Sequence, residues 1–517
     1  MHDATAHPDL DVTNARAIFW ACAVPFAVLT AILPPLCFPT FRGDVLEQIV
    51  IGREWVLGSS KHPAMTTWIM QVFWAGLGGS RFAPSIAASC CGLATLWSVW
   101  RLGREYVPER EALIGSLCLT AYWYVTLGGS GMYNNNVTMI AFWHLALLAF
   151  HFALRTDRGL HWILTGGLLG ISLLCKYSAV CLAAGMGVFM LAHADTRRRL
   201  RTAGPWLAAL TLMLVVLPHV LFMVREYGGS HAYLASKRLQ VGFLPFCLIL
   251  GRDWLLQLGI IAPLLLILVP LVGWRPQAAR RDPGGEAPAG FIPAMFALPL
   301  VIQTLVQLAT RVPYIQRSYG AHLWILLGLW AVSTFEVTTD RRRWRAATAL
   351  TATIAAGLLA SLPITTAAAH RFQARPNSRF YPGAELAARI DAIWEREGVG
   401  PCRYLAGRDT DQHACWAVGT FSRHQPHVID PELGRWARDD DMNDHGGVVL
   451  WAQPADAVPD DIPADVRSRF PDARFRGLVE LPYMMLHPDV QPVRMGVAVV
   501  VPTDRPRLAA EPVPARR

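Results

Sequence analysis

Lysine is nearly missing from this 517-residue chain: of its 47 basic residues only Lys61, Lys176 and Lys237 are lysine, and the rest are arginine. Charge of either sign is sparse, at 16% of residues against 53% hydrophobic ones, and the mean hydropathy is +0.31. That balance argues against three soluble domains and for a polytopic membrane protein. A Walker A loop, a GxGxxG between a strand and a helix, an HExxH and a paired CxxC are all missing, which disfavours a soluble nucleotide-driven enzyme or pump. Internal repeats are absent, and the one biased tract is "RPQAARRDPGGEAPAG" at 275–290. No removable signal peptide is expected, because the polar start MHDATAHPDLDVTNAR is long and acidic and the apolar block after it lacks a small-residue cleavage site.

What is present is a series of apolar blocks between residues 17 and 367, long enough to cross about 30 Å of hydrocarbon. Arginines concentrate in alternate loops: Arg101, Arg104 and Arg110; Arg155 and Arg158; "RRRLR" at 197–201; Arg275, Arg280 and Arg281; "RRRWR" at 341–345. The positive-inside rule makes these loops cytoplasmic, so the net charge of +9 reflects topology and no nucleic-acid partner is expected. Expected spans are 17–37, 83–101, 112–129, 137–154, 162–175, 178–193, 205–223, 254–274, 291–310, 320–335 and 346–367. With about eleven crossings, residues 1–16 lie inside and residues 368–517 outside. Counting 64–79 as a crossing would invert every later loop, so it reads as an interfacial or re-entrant helix.

The fold class expected is therefore an all-α polytopic membrane domain over 17–367, with an amphipathic first outer loop at 38–82 and a soluble α/β domain at 368–517. In that domain "PGAELAARIDAIWERE" at 382–397 has helical spacing, while "HVID", "GGVVLWA" and "VRMGVAVVVP" have strand character. Eight of the ten cysteines fall in or beside apolar segments. The other two, Cys402 and Cys415, lie in a domain placed outside the cytoplasm and are expected to form a disulfide.

Chemistry concentrates in the first outer loop. A helix from Asp44 puts Asp44, Glu47 and Gln48 on one face at i, i+3 and i+4, with Val45, Leu46, Ile49 and Val50 turned toward lipid or protein. On its own this is equally the solvated polar face of an interfacial helix. "SKHPAMTTW" then delivers Lys61 and His62 to the same side, where cations beside a carboxylate suit an anionic headgroup. Lys176 at a hairpin apex, Lys237, Arg238, Arg311 and Arg317 extend the outer set of phosphate-binding candidates. The loop "GGSGMYNNNVTMIAFW" offers Tyr133, Asn134, Asn135 and Asn136; its amides suit sugar hydroxyls, and equally the cap of the following helix.

"GD" at 43–44, its spacing to "SKHPAMTTW", "YNNNVTMIAFW" and "GGLLGISLLCKYSA" together resemble the polytopic GT-C glycosyltransferases, and within them glycosyltransferase family 39 in the broad sense. That group includes protein O-mannosyltransferases, lipid A aminoarabinose transferases and lipopolysaccharide galacturonosyltransferases. The motifs cover roughly residues 15–200; beyond them only the hydropathy pattern matches. The resemblance implies that Asp44 is the general base, that His62-Pro63 stands at the family's "HPPL" position and that Lys176 is its hairpin lysine. Two departures stand out. The family's Glu after the Asp is Val45, with Glu47 one turn on as the candidate replacement, and its second Asp is replaced by Asn134, Asn135 and Asn136. Since carboxylates hold a hard divalent ion, that loss weakens a metal-dependent mechanism, and no cofactor is assigned.

The function expected is an inverting transfer of a sugar from a polyprenyl-phosphate, such as undecaprenyl phosphate, to a cell-envelope glycolipid or polysaccharide, on the periplasmic side of a bacterial inner membrane. The alternative is a transporter or flippase of a lipid-linked sugar. Missing repeats and the outer carboxylate cluster favour the enzyme.

Overall fold

A computed structural model describes residues 12–128, 133–228, 235–279, 288, 290–313, 317–373, 375–398, 400–408, 411–431, 433–434, 436–454 and 462–502. The chain divides into two units. The first comprises residues 1–34, 62–66 and 80–362, and the second 35–61, 67–79 and 363–517.

The helical elements in chain order are α1 (Val12–Cys37), α2 (Gly43–Arg53), α3 (Met65–Gly76), α4 (Ala83–Gly103), α5 (Glu109–Leu117), α6 (Asn135–Thr156), α7 (Gly159–Cys175), α8 (Val180–Ala192), α9 (Ala194–Arg199), α10 (Ala203–Tyr227), α11 (Phe243–Val272), α12 (Phe291–Thr310), α13 (Leu327–Thr334) and α14 (Arg341–Phe372). Among the described residues seven helices are long and apolar enough to cross a membrane: α1, α4, α6, α10, α11, α12 and α14. Shorter apolar helices occupy 159–175, 177–192 and 320–334. Helix α3, at 1.5 Å per residue, is about 18 Å long, too short to cross as a helix.

The expected span at 112–129 is not one helix. After α5 the chain passes through a 3-10 turn, Cys118–Ala121, and a π-turn, Tyr124–Gly128. The Thr126 hydroxyl donates to the Thr120 carbonyl, a local bond that competes with the α-helical ladder. The segment at 320–335 is broken in the same way, with a 3-10 stretch, Arg317–Trp324, ahead of α13.

Small residues let the helices of the first unit approach closely. A Cβ added to Gly166 of α7 would lie 2.0 Å from the Ala208 carbonyl oxygen of α10, and one on Gly170 would lie 2.9 Å from Val215. In apolar surroundings this backbone approach is the main source of helix association. Helix α10 leaves Leu210, Met213, Leu214, Leu217 and Leu221 exposed, an apolar face that lipid would cover.

In the second unit a five-stranded sheet has the order β2-β1-β3-β5-β4, formed by β1 (Tyr404–Gly407), β2 (His427–Ile429), β3 (Gly447–Ala452), β4 (Arg474–Leu481) and β5 (Val493–Val500). β1 pairs in parallel with β2 and β3, while β5 runs antiparallel to β3 and β4. Helices α15 (Gly383–Glu395), α16 (Gln412–Phe421), α17 (Asp439–His445) and α18 (Ala464–Arg469) complete it. The strands expected from "HVID", "GGVVLWA" and "VRMGVAVVVP" are β2, β3 and β5, and the expected helix is α15. One apolar core joins Leu386, Ile390 and Trp394 of α15, Val418 of α16, sheet residues Leu405 and Val448, and Leu46 and Val50 of α2.

The expected disulfide is absent. Cys402 and Cys415 are both buried free thiols. Cys402 sits just before β1 and donates to the Tyr404 carbonyl at 3.4 Å. The Cys415 sulfur lies against Gly407, where an added Cβ would be 2.5 Å away, at the far end of the same strand. At about 3.3 Å per residue the length of β1 separates them by about 10 Å or more, beyond what a disulfide spans. Burial pushes both thiols up, Cys402 to about 12.

Candidate active site

Helix α2 starts where extended Arg42 presents its carbonyl to the Val45 and Leu46 amides at 3.0 and 3.1 Å. Asp44 occupies the first turn, where a carboxylate complements the free amides of a helix amino terminus, and it is exposed. Val45 to Gly52 are all buried. The face expected to be polar and solvated is therefore split: Asp44 meets solvent, while Glu47 and Gln48 are each 2% exposed.

α2 is covered by α16. The Arg53 guanidinium donates to the Gly419 carbonyl at 2.7 Å, and a Cβ on Gly419 would lie 3.4 Å from Val50. Gly43 packs on His413 in the same way, with an added Cβ only 3.3 Å from the imidazole Nδ1. The Tyr381 ring stands edge-on to His413 at 4.7 Å. Burial lowers the His413 pKa and so favours the neutral ring. Among the described residues neither His413 Nε2 nor the Tyr381 hydroxyl has a hydrogen-bond partner.

Glu47 is the electrostatic centre of this unit. Its Oε2 accepts from Lys61 Nζ at 2.9 Å. Burial raises the Glu47 pKa, Lys61 opposes that shift, and the charges of Asp44 and Asp430 add to it. Lys61 is held in place because the Ser60 amide donates to the Leu433 carbonyl at 2.9 Å and the Lys61 amide to Ser59 Oγ at 3.3 Å. Asp430, 3% exposed, follows β2 and accepts from the Leu433 amide at 3.1 Å and Gln412 Nε2 at 3.3 Å. The carboxylate that Lys61 meets is thus Glu47, one helical turn beyond Asp44.

The remaining candidates lie in the first unit. Asn134 caps α6: its Oδ1 accepts from the amides of Asn136 at 2.9 Å and Val137 at 3.3 Å, and from the Tyr124 hydroxyl at 3.1 Å. Asn135 donates to the Cys175 carbonyl at 3.0 Å, and Lys176 Nζ donates to Asn136 Oδ1. Buried Tyr133 donates to the Thr66 carbonyl at 2.8 Å. The asparagine run therefore caps α6 and ties it to the end of α7, and it orients Lys176. His62 is half-buried, whereas Lys237 and Arg238 are exposed. Arg311, left-handed at φ 56, donates to the Val241 carbonyl at 3.3 Å. The Arg317 side chain lies outside the described residues. Among the described residues no three His, Cys, Asp or Glu side chains are grouped to hold a metal ion.

Asp430 and His413 were not singled out from the sequence. For Asp430 a signal existed: it ends "HVID", and the carboxyl end of a parallel strand is where open α/β sheets place functional groups.

Residues 61–222 match the family described as dolichyl-phosphate-mannose-protein mannosyltransferase. No curated protein matches the chain. The crystal structure of ArnT from Cupriavidus metallidurans bound to undecaprenyl phosphate is 12% identical, and the likeness covers 95% of this chain and 99% of that one at a TM-score of 0.50. The cryo-EM structure of the arabinofuranosyltransferase AftD from Mycobacteria is 13% identical over 95% of this chain and 40% of that one, at a TM-score of 0.48. At these identities it is the fold that the ArnT likeness establishes.

Proposed function

We propose, starting from the GT-C fold of this chain and the mannosyltransferase-family match of its residues 61–222, that it is an inverting glycosyltransferase. It moves a sugar from a polyprenyl-phosphate carrier to a cell-envelope glycolipid or polysaccharide, on the periplasmic side of the inner membrane. The observation that carries this reading is the division of labour on α2: an exposed carboxylate, Asp44, one turn before a buried carboxylate bound to a lysine.

Asp44 accepts the proton of the acceptor hydroxyl as that oxygen forms its bond to the anomeric carbon. On the opposite face the bond from that carbon to the phosphate oxygen breaks, and the electron pair leaves with the polyprenyl phosphate. This leaving group is already anionic and needs no proton, only a cation to stabilise its growing charge, a role assigned to Lys61.

The test is to incubate detergent-purified protein with a panel of polyprenyl-phosphate sugars and acceptor glycolipids, comparing wild type with Asp44→Asn. Acceptor-dependent release of free polyprenyl phosphate is expected from wild type and should fall by roughly 100-fold or more in the variant, the scale of a lost general base. Undiminished release from the variant would remove Asp44 from its role. A carrier that binds without ever releasing polyprenyl phosphate would support a transporter.

A further inference from the structure

Strands β1 and β2 run in parallel, and a crevice opens beyond their carboxyl ends. It holds about 230 Å³ of empty space, its open mouth included. Open α/β sheets gather ligands outside the carboxyl ends of their strands, where the chain stops pairing and loops and helices rise around a gap. The Cys415 sulfur of α16 lies at the floor, so close to Gly407 that an added Cβ would be 2.5 Å away. Arg408 and Gln412 line the crevice from the β1–α16 connection, and Asp430 and Pro431 from the end of β2.

The polar groups here are held in place with bonding capacity left over. Arg408 Nε donates to Asp465 Oδ2 at 2.7 Å, and among the described residues its Nη groups meet no acceptor. Gln412 Nε2 donates to Asp430 Oδ1 at 3.3 Å, while among the described residues its Oε1 meets no donor. Asp430 is 3% exposed and Asp411, which accepts from the Ala452 amide at 2.9 Å, is 8% exposed. Burial, and then the charges of Asp411 and Asp430, push the Cys415 thiol up, so both carboxylates act on the crevice floor. They repel an anionic ligand, and the one cation on the rim is already matched by Asp465. Guanidinium and amide N–H donors beside an amide oxygen acceptor complement a neutral ligand rich in hydroxyls.

The crevice is tied to the proposed catalytic helix within one unit, since residues 35–61 and 363–517 belong together. Asp430 Oδ1, which holds Gln412, also accepts from the Leu433 amide at 3.1 Å. The Leu433 carbonyl in turn accepts from the Ser60 amide at 2.9 Å, next to Lys61. Glu47, bound by Lys61, feels the Asp430 charge directly.

We propose that this crevice is a subsite for a neutral sugar residue of the acceptor, held through its hydroxyls by Arg408 and Gln412. The inference rests on the glycosyl transfer proposed above, and it gives the soluble domain the task of selecting the acceptor.

The experiment titrates full-length protein in lipid nanodiscs with methyl glycosides of mannose, glucose, galactose and arabinose, and with inorganic phosphate as the anionic probe. At least one glycoside should bind wild type, and phosphate should not displace it. Gln412→Leu should weaken that glycoside by about 3- to 10-fold and Arg408→Leu by about 10-fold or more, because the bonds of the guanidinium are charge-assisted. In the transferase assay both variants should raise the acceptor KM by similar factors and leave the KM for the polyprenyl-phosphate sugar unchanged, which also shows them to be folded. Absence of glycoside binding to wild type, binding that neither variant weakens, displacement by phosphate, or a donor KM that moves with the acceptor KM overturns the proposal while the transferase reading stands. Variant-sensitive glycoside binding in a protein that never releases polyprenyl phosphate overturns the transferase reading and, with it, the assignment of the sugar to an acceptor.

Discussion

Replacing Lys61 by methionine tests the charge arrangement of α2 most directly. The substitution keeps the side-chain length, removes the 2.9 Å contact to Glu47, and leaves a carboxylate that is 2% exposed facing the charges of Asp44 and Asp430. Losing one partner of a fully buried pair costs about 3–5 kcal/mol. Two features lower that figure. The Lys61 side chain is 27% exposed, and Glu47 can escape by taking up a proton. From its ordinary value of 4.5, protonating it at pH 7 costs at most about 3.4 kcal/mol, and at pH 5.5 about 1.4. The folded-state pKa of Glu47 is already raised, so its contribution is complete below pH 4.5 and is lost as pH rises through the folded value. Without Lys61 that value rises further, so the penalty grows with pH. Thermal unfolding of the detergent-purified full chain should show a fall of about 4–10 °C at pH 7, at 2–4 °C per kcal/mol for a unit of roughly 200 residues, and little change near pH 4.5. The double variant Glu47→Gln, Lys61→Met should recover most of the loss at pH 7. A penalty equal at pH 5 and pH 7.5, or a double variant no better than the single one, would refute this account.

Other consequences are simpler to check. Asn134→Ala removes the cap of α6 and should cost about 1 kcal/mol, whereas Asn134→Asp should cost little, as read by thermal unfolding. The hydrogen bond that His427 donates to Glu54 raises the pKa of His427, so that pair stabilises below pH 6.5 and its contribution fades as pH rises through the folded value; His427→Ala should cost less than about 1 kcal/mol at pH 6 and nothing at pH 9. Alkylation of unreduced, denatured protein should label both Cys402 and Cys415 in mass spectra, and a recovered Cys402–Cys415 cross-link would contradict their placement at opposite ends of β1.

Much of the architecture is written in local pattern. The apolar blocks at 135–156, 203–227 and 291–310 are visible as composition, because a span is a local requirement of length and hydropathy. β2, β3 and β5 appear as β-branched runs, and α15 as apolar residues at helical spacing. Asp44, Glu47 and Gln48 share a face by helix geometry alone. The breaks at 118–128 and 317–324 were not legible, since nothing in apolar composition distinguishes a continuous helix from one whose carbonyls are taken by hydroxyls such as Thr126.

What only the tertiary structure decided is which of these groups meet. The sequence by itself determined that a carboxylate turn and a rare lysine occur close together in the first loop. Folding paired that lysine with Glu47 and left Asp44 exposed, because α16 packs on one side of α2 while the Leu433 carbonyl pins Ser60 next to Lys61. It brought Asp430, hundreds of residues away, into the same electrostatic environment. It also set the two thiols at opposite ends of a strand. Helix period and hydropathy act over a few residues and can be read from the chain; burial and charge partnership are properties of the packed elements, and these settle which carboxylate can remain free.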